Sequence, residues 1–324
     1  MTWSEPQTAM SSALIPIQPT KENFMPRMSS IVLALSVSVF SIGAHAAPPI
    51  VDSAAIEAIT GLKGTYNKAE NVFKVSKPRK DVKVSVDRWA LPPFMGITSW
   101  AAFTPMRGGT MLMGDTVLFE DEVNPAMTAA LDAGLEVTAL HNHFFFDQPK
   151  VYFMHIAGMG QTRQLANGVK AVYDSVEKLR AAQPTPQAAF PGDIPAEKNI
   201  SAGPIEEIFR TKSQSSDGMV KVVIGRTARM HGTSIGNEMG VNTWAAFAGT
   251  DEQAVVAGDF AMRENELQPV LKAMRRAGLN IVAIHQHMTH ETPRYLFLHY
   301  WGKGKAADLA RAVKGALSEQ AASK

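Results

Sequence analysis

Residues 137–160 read VTALHNHFFFDQPKVYFMHIAGMG, and residues 281–304 read IVAIHQHMTHETPRYLFLHYWGKG. Laid over one another at a constant spacing of 144, they place His141 on His285, His143 on His287 and His155 on His299. The same spacing continues upstream without a gap. The Ala-Gly-Leu of 133–135 meets that of 277–279, Glu120 and Glu122 meet Glu264 and Glu266, Gly114-Asp115 meets Gly258-Asp259, and Trp100-Ala-Ala-Phe103 meets Trp244-Ala-Ala-Phe247. From residue 100 to residue 160, 21 of 61 positions are identical to their partners, more than shared composition gives at one fixed offset. The chain is an internal duplication, and six of its nine histidines are matched in pairs by it.

Each copy switches between the periods of strand and helix. Residues 97–103 and 110–119 read as strands, separated by Pro105 and the Gly108-Gly109 turn signal. Residues 120–133 open with acidic side chains and Pro125 and stop before Gly134, the marks of a helix, with Val123, Met127, Ala130 and Leu131 as its apolar face. A strand over 135–143 turns through Asp147-Gln148-Pro149 into another over 151–156, and 162–179 returns to helical spacing. Residues 51–62 and 205–209 suit short helices. The alternation of 82–88 matches that of 220–226 at a spacing of 138, which implies six added residues in the second copy over 227–239.

The expected fold is α+β, with two tandem homologous repeats over 50–180 and 205–318. Each is a mainly antiparallel sheet with helices packed on it. A Pro-rich linker, 181–204, joins them, and 319–324 is a polar tail. Pseudo-twofold packing is expected, because each sheet alone leaves an edge bare.

The first 47 residues read differently. Residues 1–27 are polar and suit a disordered segment or a mis-assigned start. Arg27, the apolar run after Met28 and Ala44-His45-Ala46 over 28–47 match the three regions of a secretory signal. The run is shorter than the roughly 20 residues a membrane-spanning helix needs, so no stable membrane insertion is expected after cleavage. The sequence has no cysteine, which excludes disulfides and a lipid-bearing N-terminal cysteine. The expected location is the periplasm or the outside of the cell, as a soluble protein and not a lipoprotein. Net charge is +2, and it stays so when Lys21, Arg27, Glu5 and Glu22 leave with the signal. A nucleic-acid partner has no electrostatic basis there; a metal or small molecule is the expected partner.

On a strand His141 and His143 point the same way, and a hairpin symmetric about Gln148 sets His155 opposite His141. His285, His287 and His299 repeat the construction about Thr292. Three convergent imidazoles are the ligand set of a catalytic zinc with an open position, and they also suit copper. The other reading is a buried polar network. Glu120, Glu122, Glu264 and Glu266 sit at helix starts, where free N–H groups favour a carboxylate whatever the function. As site residues they are a fourth ligand, an orienting partner or a general base, with Glu264 and Glu266 the catalytic candidates. Asp115 and Asp259, each after glycine, have the same choices. His231 and His290, with Glu291, Tyr300 and Trp301, add polar and aromatic groups to the second repeat, which is the copy expected to retain chemistry. Trp100 and Trp244 suit the core or the contact between repeats. The leading function is metal or small-ligand binding. The alternatives are a zinc hydrolase with three histidines and a glutamate base, and a structural or interaction protein without metal.

His141-Asn-His143 and His285-Gln-His287, the strands Pro149-Lys-Val-Tyr-Phe-Met-His155 and Pro293-Arg-Tyr-Leu-Phe-Leu-His299, and the twin Trp-Ala-Ala-Phe segments resemble the LppY/LpqO family of exported bacterial proteins, a domain family of unknown function. The resemblance spans about residues 50–318. It implies export and a duplicated domain, and it brings no reaction or ligand. The proteins that give the family its name are lipoproteins, which this cysteine-free sequence does not match. A lysostaphin-type peptidase pattern also fails, because His143-Phe-Phe-Phe-Asp147 reuses a histidine of its own His-x-His and Glu291 replaces the aspartate in the second copy.

Overall fold

The structure is a computed structural model that describes residues 51–322. The expected signal, 28–47, and the segment before it lie outside the described residues. The first repeat runs α1 (Ser53–Thr60), β1 (Gly64–Asn67), β2 (Val72–Pro78), β3 (Val84–Val86), β4 (Trp89–Leu91), β5 (Thr98–Met106), β6 (Gly109–Phe119), α2 (Glu120–Asp132), β7 (Glu136–His141), β8 (Asp147–Gln148), β9 (Val151–Gly160) and α3 (Thr162–Ala182). The second repeats the order as α4 (Ala202–Phe209), β10 (Ser213–Ser216), β11 (Met219–Gly225), β12 (Ala228–Met230), β13 (Thr233–Ile235), β14 (Asn242–Gly249), β15 (Ala254–Arg263), α5 (Glu264–Arg276), β16 (Asn280–His285), β17 (Glu291–Thr292), β18 (Tyr295–Gly304) and α6 (Ala306–Ala322).

The two repeats share one twelve-stranded sheet, in the order β1-β2-β5-β6-β9-β7-β16-β18-β15-β14-β11-β10. The order is the same read from either end under exchange of repeats, so the β7–β16 junction marks the pseudo-twofold axis. Leu140 pairs with Ile284 there, which closes the edge each half-sheet would leave bare. Alternation along the strands sorts the two faces. Ala101, Phe103, Leu112, Leu118, Leu140, Met154 and Ile156, with Phe247, Val256, Ile284 and Leu298, are buried with the apolar faces of the helices in one continuous core. Trp100, Asp115, His141 and His155 point to the other face. Three-stranded flaps, β4-β3-β8 and β13-β12-β17, cover its ends over Val117, Phe119 and Phe153 in one repeat and Ala261, Tyr295 and Phe297 in the other.

Reciprocal amides tie the halves together. β7 and β16 each slip register, between Val137 and Ala139 and between Ile281 and Ala283, which frees backbone groups that need partners. Asn124 on α2 accepts from Ile281 N at 2.8 Å and donates to Ile281 O at 3.2 Å. Its counterpart Gln268 on α5 does the same for Val137, at 3.0 and 2.8 Å.

Three expectations need correction. The partner of β11 is β2, not 82–88: Lys74 pairs with Ala102 as Lys221 pairs with Ala246. Val82-Lys-Val84 shares the Val-Lys-Val pattern of β11, but residues 82–88 supply only the short β3. The second repeat has no six-residue insertion over 227–239, because β12 and β13 correspond to β3 and β4 at the common spacing of 144. The tail is helical through Ala322, since α6 takes it up.

Candidate metal centre

Trp100 pairs with Asp115, Asp115 with His155, and His155 with Ala139. In the second repeat Trp244, Asp259, His299 and Ala283 follow the same path. The expected opposition of His141 and His155 is off by two residues. His141 faces Phe153, and His285 faces Phe297. An offset of two keeps every side chain on its face, so the three imidazoles still meet. Ring centroids of His141 and His143 are 5.2 Å apart and those of His141 and His155 5.1 Å; the second repeat gives 5.1 Å for His285–His287 and 4.8 Å for His285–His299.

His143 and His287 lie just past the ends of β7 and β16. Stacking places them instead of a ladder: His143 lies on Phe153 at 3.3 Å and His287 on Phe297 at 3.5 Å. Both phenylalanines are fully buried and act as rigid floors.

The two centres share one face. Extending the Leu140–Ile284 pair by one residue sets His141 across from Ala283 and His285 across from Ala139. One row of side chains therefore runs Asp115, His155, Ala139, His285 and the next runs Asp259, His299, Ala283, His141. Each row carries an aspartate–histidine pair from one repeat and the leading histidine of the other.

The second repeat draws a carboxylate into its cluster. Asp259 Oδ2 lies 3.1 Å from His287 Nε2. Coordinating atoms of Asp259, His285 and His287 all lie within 4.8 Å of one another. Ligands roughly 2.0–2.1 Å from a tetrahedral zinc stand about 3.3 Å apart, so the Asp259–His287 pair is already at coordination spacing and the widest pair must close by about 1.5 Å. The orienting contacts favour this. His287 Nδ1 lies 3.4 Å from Gly240 O, and His285 Nδ1 lies 3.3 Å from Gln286 O; backbone carbonyls on Nδ1 leave Nε2 free to ligate. His285 Nε2 and Asp259 Oδ1 are buried and without a partner. A buried, unpaired acceptor asks for a proton or a cation.

Electrostatics agree with that need. Burial raises the Asp259 carboxyl above its ordinary pKa, against the opposing pull of His287, His299 and His285. Burial also lowers His285, keeping its imidazole neutral, the ligating form. In the first repeat Asp115 is raised and His143 lowered, with burial again the leading cause. No carboxylate there comes within ion-pair distance of an imidazole among the described residues.

The other candidates lie elsewhere. Glu122 is fully buried and takes Arg79 through both oxygens at 2.7 and 2.9 Å, Arg180 at 2.8 Å, and Phe119 N at 2.9 Å. Glu266 takes Arg226 at 2.5 and 2.9 Å and Arg263 at 3.0 Å. Glu120 is exposed, and Glu264 lies 3.7 Å from Arg294. His231 and His290 approach each other, 5.8 Å between centroids, where β12 meets β17, outside the Asp259 cluster. Glu291 caps its hairpin by accepting from Tyr295 N, and Tyr300 donates to Trp244 O. Trp100 and Trp244 are half-buried under Lys74 and Lys221, 4.2 and 4.5 Å from ring centroid to ammonium, not in the core. The aspartates were the undervalued signal: in the β6–β9 and β15–β18 ladders they stand opposite the third histidine.

Residues 54–175 and 203–319 each match the family model described as Domain of Unknown Function (DUF1259). The chain belongs to that family, with two copies of its domain. No curated protein matches the sequence significantly. Among solved structures, a trimeric bacterial microcompartment shell protein, PduB, aligns at 10% identity over 79% of this chain and 89% of its own, with a TM-score of 0.21. A double-ringed trimeric shell protein of the RMM microcompartment aligns at 12% identity over 76% of this chain and 97% of its own, with a TM-score of 0.18. Likeness this low carries no argument about fold or function. No helix among the described residues is long and apolar enough to cross a membrane.

Proposed function

We propose that the protein binds one transition-metal ion, zinc or copper, in its second repeat through Asp259, His285 and His287, with His299 beside them. The observation that carries this is the 3.1 Å approach of Asp259 to His287 next to the unpartnered His285 Nε2. His287 is exposed, which gives an ion or a small ligand a way in from solvent. The N-terminal signal and the LppY/LpqO resemblance support a role outside the cytoplasm, where such a site would act as a metal or small-ligand binder.

Hydrolysis by the bound ion has less support. A metal-bound water needs a free carboxylate beside it, and Glu266 is engaged by Arg226 and Arg263. The test is metal content of the exported chain, purified without a histidine tag, beside His285→Ala/His287→Ala. Close to one zinc or copper per chain, absent from the double variant, is expected. Equal metal in both, or none in either after zinc and copper are added, rules the site out.

A further inference from the structure

The metal centre leaves unexplained a cleft of about 460 Å³ at the contact between repeats, open to solvent on one side and lined by α2, the end of α3, the linker, the end of α5 and the start of β16. Its size is that of a small-molecule site. Val123, Leu179, Phe190 and Ile281 give it an apolar lining. Three polar groups within it lack what they need.

Arg275 is the first. Its Nε donates to Thr128 Oγ1 at 3.1 Å, and its Nη1 donates to Leu279 O at 2.5 Å. No carboxylate lies within ion-pair distance of it among the described residues. Desolvation alone pulls its pKa down to about 10. The first repeat has buried Leu131 at the equivalent position, so the fold itself does not require a cation. The other two groups are acceptors. Asp121 Oδ1 and Gln183 Oε1 are buried without donors, although the other oxygen of Asp121 is held by Arg180 and by Gln187 N at 3.0 Å. Glu120 adds a carboxylate to the same lining. One cation without an anion and two acceptors without a donor share one largely apolar cleft.

We propose that this cavity binds an apolar amino acid or a short apolar peptide as its zwitterion. The ligand carboxylate would pair with Arg275, its ammonium would donate to Asp121 and Gln183, and its side chains would fill the apolar wall. Charge complementarity selects the class, because a ligand with only one of the two charges leaves the opposite pole desolvated and unpaired. A free amino acid and a peptide carry the same two end groups at different separations, so both belong in the test.

Calorimetry on the mature chain with leucine and with Leu-Leu decides between them, alongside their N-acetylated and C-terminally amidated forms. Saturable binding of one zwitterion is expected, with each blocked form at least about tenfold weaker, the loss of one charge-assisted contact. Arg275→Met should weaken the zwitterion to the level of its amide and leave the amide unchanged. Absence of saturable binding of either zwitterion at about 10 mM, or equal binding of blocked and free forms, overturns the proposal. If Arg275→Met fails to fold, the ligand series on the unaltered chain still decides. His285→Ala/His287→Ala should bind the zwitterion unchanged, which separates this cavity from the metal site.

Discussion

The two histidine centres have the same residue types at the same register and differ in the contacts that hold them. In the second repeat Asp259 reaches His287 at 3.1 Å, and Gly240 O lies 3.4 Å from the imidazole's other nitrogen. In the first repeat no such ion pair joins Asp115 to His143. The residue after the His-x-His pair is Phe144 there and Met288 in the second copy, and Phe144 sets its ring edge-on to His143 at 6.0 Å. Identical ligand types do not make identical sites; the orientation imposed by neighbours decides which aspartate completes the set.

A second contrast lies behind the sheet. Glu122 is enclosed by two buried guanidinium groups, Arg79 and Arg180, whereas Glu266 is held by Arg226 and Arg263, which are more exposed. All five donors of Arg79 are used, on Asp81, Glu122 and Val117 O. Arg79→Met leaves Glu122 buried and under-neutralised and should cost about 3–5 kcal/mol in chemical denaturation. Arg226→Met should cost about 1–3 kcal/mol, since Arg263 and solvent remain. Equal losses would remove the asymmetry.

For the site itself, Asp259→Ala should weaken zinc binding about 100-fold, at or beyond the loss seen when an orienting group is removed, and Asp115→Ala should leave the tight site unchanged. Competition with a chromophoric chelator measures both. The amide clamps give a smaller contrast. Asn124 is buried and Gln268 partly open, so Asn124→Ala should cost about 1–3 kcal/mol and Gln268→Ala less, by urea melts.

The smallest expected effect is a pH dependence without metal. Burial raises Asp259, so the folded chain keeps that proton to higher pH than the unfolded chain does. Metal-free stability therefore falls as pH climbs from the ordinary carboxylate range through the raised pKa. Asp259→Asn removes this fall and should gain on the unaltered chain between about pH 4 and pH 7. Asp115→Asn should shift in the same direction, but only the Asp259 difference should be reversed by added zinc. Thermal melts at both pH values with and without zinc check the sign.

Much of this was legible in the sequence. The fixed spacing of 144 revealed the duplication, the helix and strand signals placed the long elements, and the His-x-His pairs with their third histidine pointed to the face on which their rings gather. What was missed follows from length and distance. β3, β4, β8 and their counterparts span two or three residues, too short to show a period, and Val82-Lys-Val84 imitated the Val220-Lys-Val222 strand more closely than the true equivalent, Phe73-Lys74-Val75. Glu122 and Glu266 looked like candidate bases because their partners Arg79 and Arg226 lie some 40 residues upstream, beyond local pattern. His231, His290 and Tyr300 distinguish the second repeat in sequence, whereas the contact that sets its histidine centre apart is Asp259 with His287.

The most direct test is calorimetric titration of the metal-free chain with zinc. One tight site per chain is expected, with any second site at least about tenfold weaker, a difference of about 1.4 kcal/mol. Two sites of equal affinity, or a tight site that persists in Asp259→Ala, would contradict the assignment of the metal to the second repeat.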